Sequence, residues 1–152
     1  MTTLTETFKS ICKALDVTLI FADLHQANNL IDQLKGVDYP VLVIMPYEES
    51  DNVEAGTFKS NTDAPLEAYM LTKLEASSID AAKVEVQEKA IEPMLSRARR
   101  FMKALNASVI IKKDNPDGGI GRVTYTPTFS EFDANLFGVV IRTNIPLLPR
   151  PC

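Results

Sequence analysis

Five consecutive apolar residues, Val41-Leu42-Val43-Ile44-Met45, stand between Pro40 and Pro46. Proline has no backbone donor and does not continue a sheet interior, so the run has fixed ends. It is too short for a core helix, and Val41, Val43 and Ile44 are β-branched. A strand of this kind is apolar on both faces and has to be covered on both. We place it at the centre of a sheet. The rest of the chain must supply its covering.

Those elements are read from periodicity. Residues 5–15 put Phe8, Ile11, Cys12 and Leu15 on one helical stripe. Asp16 leads into Val17-Thr18-Leu19-Ile20-Phe21-Ala22, a strand by its β-branched content. Leu24, Ala27, Leu30, Ile31 and Leu34 repeat the helical spacing over 24–34, which ends at Gly36. A polar stretch over 47–52 precedes a weaker strand signal at 53–58, and Asn61-Thr62-Asp63-Ala64-Pro65 reads as a break. Over 66–75 the chain alternates. Leu66, Ala68, Met70, Thr72 and Leu74 face one way; Glu67, Tyr69, Lys73 and Glu75 face the other, as in a half-buried strand with one wet side.

Ser78 can cap a long amphipathic helix reaching Asn106, with Val84, Ile91, Leu95, Ala98, Met102 and Leu105 on its stripe. Pro93 lies inside it. An interior proline costs about 3 kcal/mol and one hydrogen bond, so a kink near 89–93, or two abutting helices, is expected. Segments 109–113 and 122–126 flank a turn cluster at 115–119, which suits a hairpin. Over 136–145, Phe137, Val139, Ile141, Thr143 and Ile145 share one face, and a Pro-rich tail from about 146 to 152 ends the sheet. The order α-β-α-β-β-β-α-β-β-β predicts an α+β fold, a mainly antiparallel sheet with one long helix and shorter helices packed on one face. With 152 residues, 45% of them apolar, residues 1–152 make a single domain with an adequate core.

Charge and motifs narrow the function classes. A formal net charge of -4 gives no global attraction to nucleic acid or to an anionic membrane. No stretch approaches the roughly 20 apolar residues that span a bilayer, and the start, Met1-Thr2-Thr3-Leu4, carries no secretory pattern. Cys12 and Cys152 lie near opposite ends and are expected as free thiols in a reducing cytoplasm. His25 stands beside Asp23 at the start of a short helix, a surface or cap position, and no Ser or Cys motif announces a nucleophile. No His or Cys has a second ligand at metal spacing. Gly118-Gly119-Ile120-Gly121 precedes a strand and lacks the phosphate-loop endings, so it reads as a turn. Glu48, Glu49, Asp51 and Glu54 lack the spacing of a calcium loop and read as a solvated loop. Arg97, Arg99, Arg100 and Lys103 form a basic segment in which aromatics do not alternate with the charges, a solvated face or a donor of inter-subunit salt bridges. Asn106-Ala107-Ser108 matches the glycosylation sequon, which has no meaning without secretion. No catalytic residue, cofactor-binding residue, metal ligand or cofactor is assigned, and the chain is not expected to be an enzyme.

A resemblance adds to this reading. An N-terminal helix and short strand run into Val37-Asp38-Tyr39-Pro40-Val41-Leu42-Val43-Ile44-Met45-Pro46; a strand follows an acidic loop, then a long helix. The chain closes on Phe132-Asp133-Ala134-Asn135-Leu136-Phe137-Gly138-Val139-Val140-Ile141, an aspartate, a Leu-x-Gly and an alternating strand. In this order most of the chain resembles the tail-completion proteins of long-tailed bacteriophages and prophages, especially the tail-terminator group. The resemblance implies a virion protein, assembled in the host cytoplasm, that forms a ring homo-oligomer, a hexamer being one such count. It would cap the head-proximal end of the tail tube and bind other tail or neck proteins. DNA at most passes through its lumen, without sequence-specific binding. Strands 66–75 and 136–145 would then pair across subunits by their edges, while loop 47–63 and hairpin tip 114–121 project toward partners. Neither Pro93 nor the 146–152 tail belongs to that pattern. The alternative readings are a protein–protein interaction module or neck adaptor, and an enzyme using Asp23, His25 or the acidic loop.

Overall fold

The structure, a computed structural model, describes residues 3–34, 39–53, 60–74, 84–129 and 136–148. Helix α1 spans Leu4–Ala14. It starts in a capping box: the Glu6 amide donates to Thr3 Oγ1 and the Thr3 amide to Glu6 Oε2, both at 3.1 Å. It ends at Asp16, in the left-handed region with φ 55°. There the Val17 amide returns to the Cys12 carbonyl and the Asp16 amide to that of Lys13, so the last turn is tied off as the chain reverses. Strand β1 (Thr18–Phe21), helix α2 (Leu24–Ile31) and strand β2 (Val41–Ile44) follow, with β1 parallel to β2. Strands β3 (Ser50–Val53) and β4 (Ser60–Lys73) form an antiparallel pair. A long helix, α3, then runs from Val84 to Asn106, and strands β5 (Thr124–Phe129) and β6 (Leu136–Leu147) complete the order.

Among the described residues the six strands form one sheet, ordered β1-β2-β4-β6-β5, with β3 also on β4. The remaining ladders are antiparallel, and the fold is α+β. All four residues of β2 are buried, as the apolar run requires. The centre of the sheet is not β2, however, but β4, which pairs with β6 from Thr62 to Lys73. Two core clusters result. On one face α1, through Leu4, Phe8 and Cys12, and α3, through Ala98, Phe101 and Leu105, cover Leu42, Ile44, Met70, Val139 and Ile141. On the other, Ala27 and Ile31 of α2 pack with Val41, Val43, Leu71 and Val140. The helices are therefore divided between the faces. The reason lies in β2: helices on one face alone would leave Val41 and Val43 wet.

Several local readings change for a related reason. Tyr69 and Leu71 are buried, so among the described residues of 66–75 the side expected to be wet is wet only toward Glu67 and Lys73; Glu75 lies outside them. The expected break at 61–65 is part of β4, because β3 pairs with it on one edge and β6 on the other. Acidic loop 47–63 accordingly contains β3; residues 54–58 of the strand expected at 53–58 lie outside the described residues, as does the Ser78 cap. Segments 109–113 and 122–126 do not pair with each other. Instead Ile111, buried in the first cluster, bridges to Leu147, and the Lys112 amide donates to the Pro146 carbonyl at 3.0 Å. Strand β6 thus continues through Pro146, which supplies an acceptor although it lacks a donor, and does not stop there. Strands β4 and β6 are each other's partners inside the sheet, and β2, β3 and β5 take their outer edges at 68–71, 60–63 and 137–142, so along those residues the edges expected to meet a neighbouring subunit are already paired.

Pro93 is accommodated without ending the helix. Helix α3 consists of Val84–Val86, a π-helical turn Gln87–Ile91, and Glu92–Asn106. The Glu92 amide bonds to the Gln87 carbonyl, one residue further back than in an α-helix. The wide turn falls where the proline ring crowds the preceding carbonyls. It also shifts the buried stripe: Val86 and Ala90 are buried, whereas Val84, expected on the stripe, is 69% exposed.

Gly138 is required by the central pair. A Cβ built there would run into the Met70 carbonyl of β4. Gly138→Ala should cost about 3 kcal/mol, with the backbone forced apart. Urea denaturation followed by circular dichroism measures it.

Candidate functional site

The basic segment of α3 is divided by its neighbours. Arg97 Nη1 donates to the Leu15 carbonyl at 3.2 Å, so its charge sits at the C-terminus of α1, where carbonyls lack helical partners and the dipole favours a cation. The Arg99 guanidinium lies 5.8 Å from the ring centroid of Tyr125 in β5, a cation–π contact. Burial raises the Tyr125 pKa and Arg99 opposes that rise. Arg100 and Lys103 are exposed. With Glu92, Leu95, Ser96 and Arg99 they line a shallow groove of about 400 Å³. The expected four-residue basic face is thus a three-residue one, and its aromatic partner comes from a distant strand.

At the end of α3 the glycine cluster is a turn. Asn115 Oδ1 accepts the Gly119 amide at 2.8 Å, and Asn106 Oδ1 accepts the Ile120 amide at 2.8 Å. Gly118 and Gly119 have φ of 70° and 133°, and a Cβ on Gly119 would collide with the Asn106 side chain. Lys113 Nζ reaches the Ala107 and Ser108 carbonyls at 3.5 and 3.4 Å. The groups here tie a loop to a helix end.

Asp23 Oδ1 accepts the Gln26 amide at 2.8 Å and caps α2, while His25 is exposed on the first turn. Asp51 accepts from Thr62 Oγ1 at 2.6 Å across the β3–β4 pair. Glu48 and Glu49 are exposed in the connection before β3, and Glu54 lies outside the described residues. No group of three or more His, Cys, Asp or Glu among the described residues could hold a metal ion. No helix among them is long and apolar enough to cross a membrane. On the second face of the sheet Arg142 pairs with Glu67 at 3.3 Å, both side chains about half exposed, a contact worth at most about 1 kcal/mol.

The acidic connection leaves from an anchored point. Tyr47 meets Phe8 edge-on at 6.1 Å between centroids, and its hydroxyl lies 3.1 Å from Thr5 Oγ1. Phe8 also contacts Phe21 and Phe101 at 6.2 and 5.8 Å, joining α1, β1 and α3. Sequence spacing gave no hint of Tyr47 as an anchor or of Tyr125 beneath Arg99. Both pairings cross between elements far apart in the chain.

Neither protein-family models nor curated proteins match the sequence.

Cys12 is buried in the first cluster, and burial pushes its thiol up to about 11 from 9.0. Its neutral form is favoured by folding, so this contribution to stability is complete below pH 9 and is lost as pH rises toward 11. A thiol reagent at pH 8 should label Cys12 only after denaturant is added, as peptide mapping would show. Asn106→Ala removes the acceptor of the Ile120 amide. It should cost about 1–2 kcal/mol and speed hydrogen exchange at Ile120, measured by exchange with mass spectrometry.

Proposed function

We propose that this protein is a non-enzymatic structural protein of a phage or prophage tail, a tail terminator that assembles head-to-tail into a ring at the head-proximal end of the tail tube. One observation carries the reading. Among the described residues the sheet is open, and its two ends differ: four-residue β1, parallel to its neighbour, at one end, and β5, antiparallel, at the other. Unlike ends suit a join in which one side of a copy meets the other side of the next. Such a heterologous contact closes into a ring when its rotation does. The α+β class agrees with what the resemblance implies. The chemistry of such a role is surface complementarity, with other copies and other tail or neck proteins as partners, and DNA passing at most through the lumen.

Size-exclusion chromatography with light scattering, followed by negative-stain microscopy, tests the reading. The expected particle is a closed ring whose lumen exceeds a DNA duplex, about 20 Å across. A species that stays monomeric at high concentration and binds no tail tube refutes it. A monomer that binds a single neck protein would instead mark an adaptor.

A further inference from the structure

The groove on α3 and the acidic segment before β3 lie toward opposite sides of the sheet and carry opposite charge. Strand β6 occupies one edge of β4 from Thr62 to Lys73, so β2 and β3 share the other edge. Glu48 and Glu49 lead into β3, and Asp51, exposed while one of its carboxylate oxygens accepts from Thr62, lies in it. On the far side, Arg99 lies over Tyr125 of the end strand β5, with Arg100, Lys103 and Ser96 continuing the groove. An extended segment of four residues is about 13 Å long. The groove runs along α3 for about 16 Å, the rise from position 92 to position 103. Length and charge both match.

We propose that the α3 groove receives the Glu48-Glu49-Ser50-Asp51 segment of a second copy of this chain, forming the charged seam of the head-to-tail join. The inference rests on the ring reading. Opposite charges on opposite sides give the join its polarity: base meets acid at every interface, while base-to-base and acid-to-acid contacts are repelled. Half-buried Leu95 adds apolar contact beside the charges. A phosphate backbone is the rival occupant. The net charge of -4 weighs against it, because a duplex is a far larger anion than the four-residue segment, whereas Glu92 in the groove opposes either anion alike.

Charge reversal tests the seam on the full chain. Arg100→Glu with Lys103→Glu forms one variant, Glu48→Lys with Glu49→Lys a second, and all four changes a third. Arg99 is left in place because it packs on Tyr125. Circular dichroism verifies folding, and light scattering across concentration reads assembly. Each pair should raise the concentration needed for assembly by about tenfold or more, and the four together should restore it. Salt at about 1 M, where charges are screened within about 3 Å, should weaken the wild-type ring in the same direction. If the wild type forms rings and the Arg100/Lys103 pair assembles unchanged, or the combined variant gains nothing, the seam is wrong and the ring reading stands. If that pair loses duplex DNA binding while assembling normally, the groove belongs to phosphate and the seam is again wrong. A wild type that never assembles removes both.

Discussion

Strands β4 and β6 lie side by side from Thr62 to Lys73 and from Leu136 to Leu147, and their backbones come so close at Gly138 that no side chain fits against the Met70 carbonyl. The rest of the molecule is arranged around this pair. Its outer edges take β2 and β3 on one side and β5 on the other. Its faces take α1 and α3 above and α2 below. Long antiparallel pairing satisfies many backbone groups at once. Elements that would be marginal alone, such as four-residue β3, gain a template.

Proline marks the places where local signals and tertiary pairing compete. Pro65 and Pro146 both read as ends of strands, yet both lie within them, at Asn144 and Asp63 respectively. Each loses one donor, and the neighbouring strand residues hold the ladder. Pro146 still accepts from Lys112. Pro93 reads as a kink, and the helix answers with a π-helical turn whose longer bond spans from Glu92 to Gln87. In all three cases the burial gained by continuing the element outweighs a single missing hydrogen bond.

Polar groups are sorted in a similar way. Asp23 caps a helix, Asp51 meets Thr62, Arg97 closes the end of α1, and Asn106 holds the glycine turn. These residues invite a functional reading from their types and serve the fold. The exposed charges at Glu48, Arg100 and Lys103 are of another kind. Isolated ion pairs at a surface contribute little, but the same charges gain weight when a partner excludes water around them. The proposed surface role rests on this division.

The elements with strong periodicity were legible in the sequence. The stripe through Phe8 and Cys12 defines α1, the apolar run at 41–45 defines a strand covered on both faces, and alternation at 136–145 defines β6. Each depends on neighbours within a few residues, which the chain itself holds together. The neighbours of those elements were not legible. That β4 and not β2 is central, that α2 takes the second face, that Ile111 pairs with Leu147, and that Arg99 finds Tyr125 are all contacts between residues far apart in the chain. No spacing rule encodes them, because they are settled by which apolar surfaces and backbone edges remain to be covered once the local elements exist.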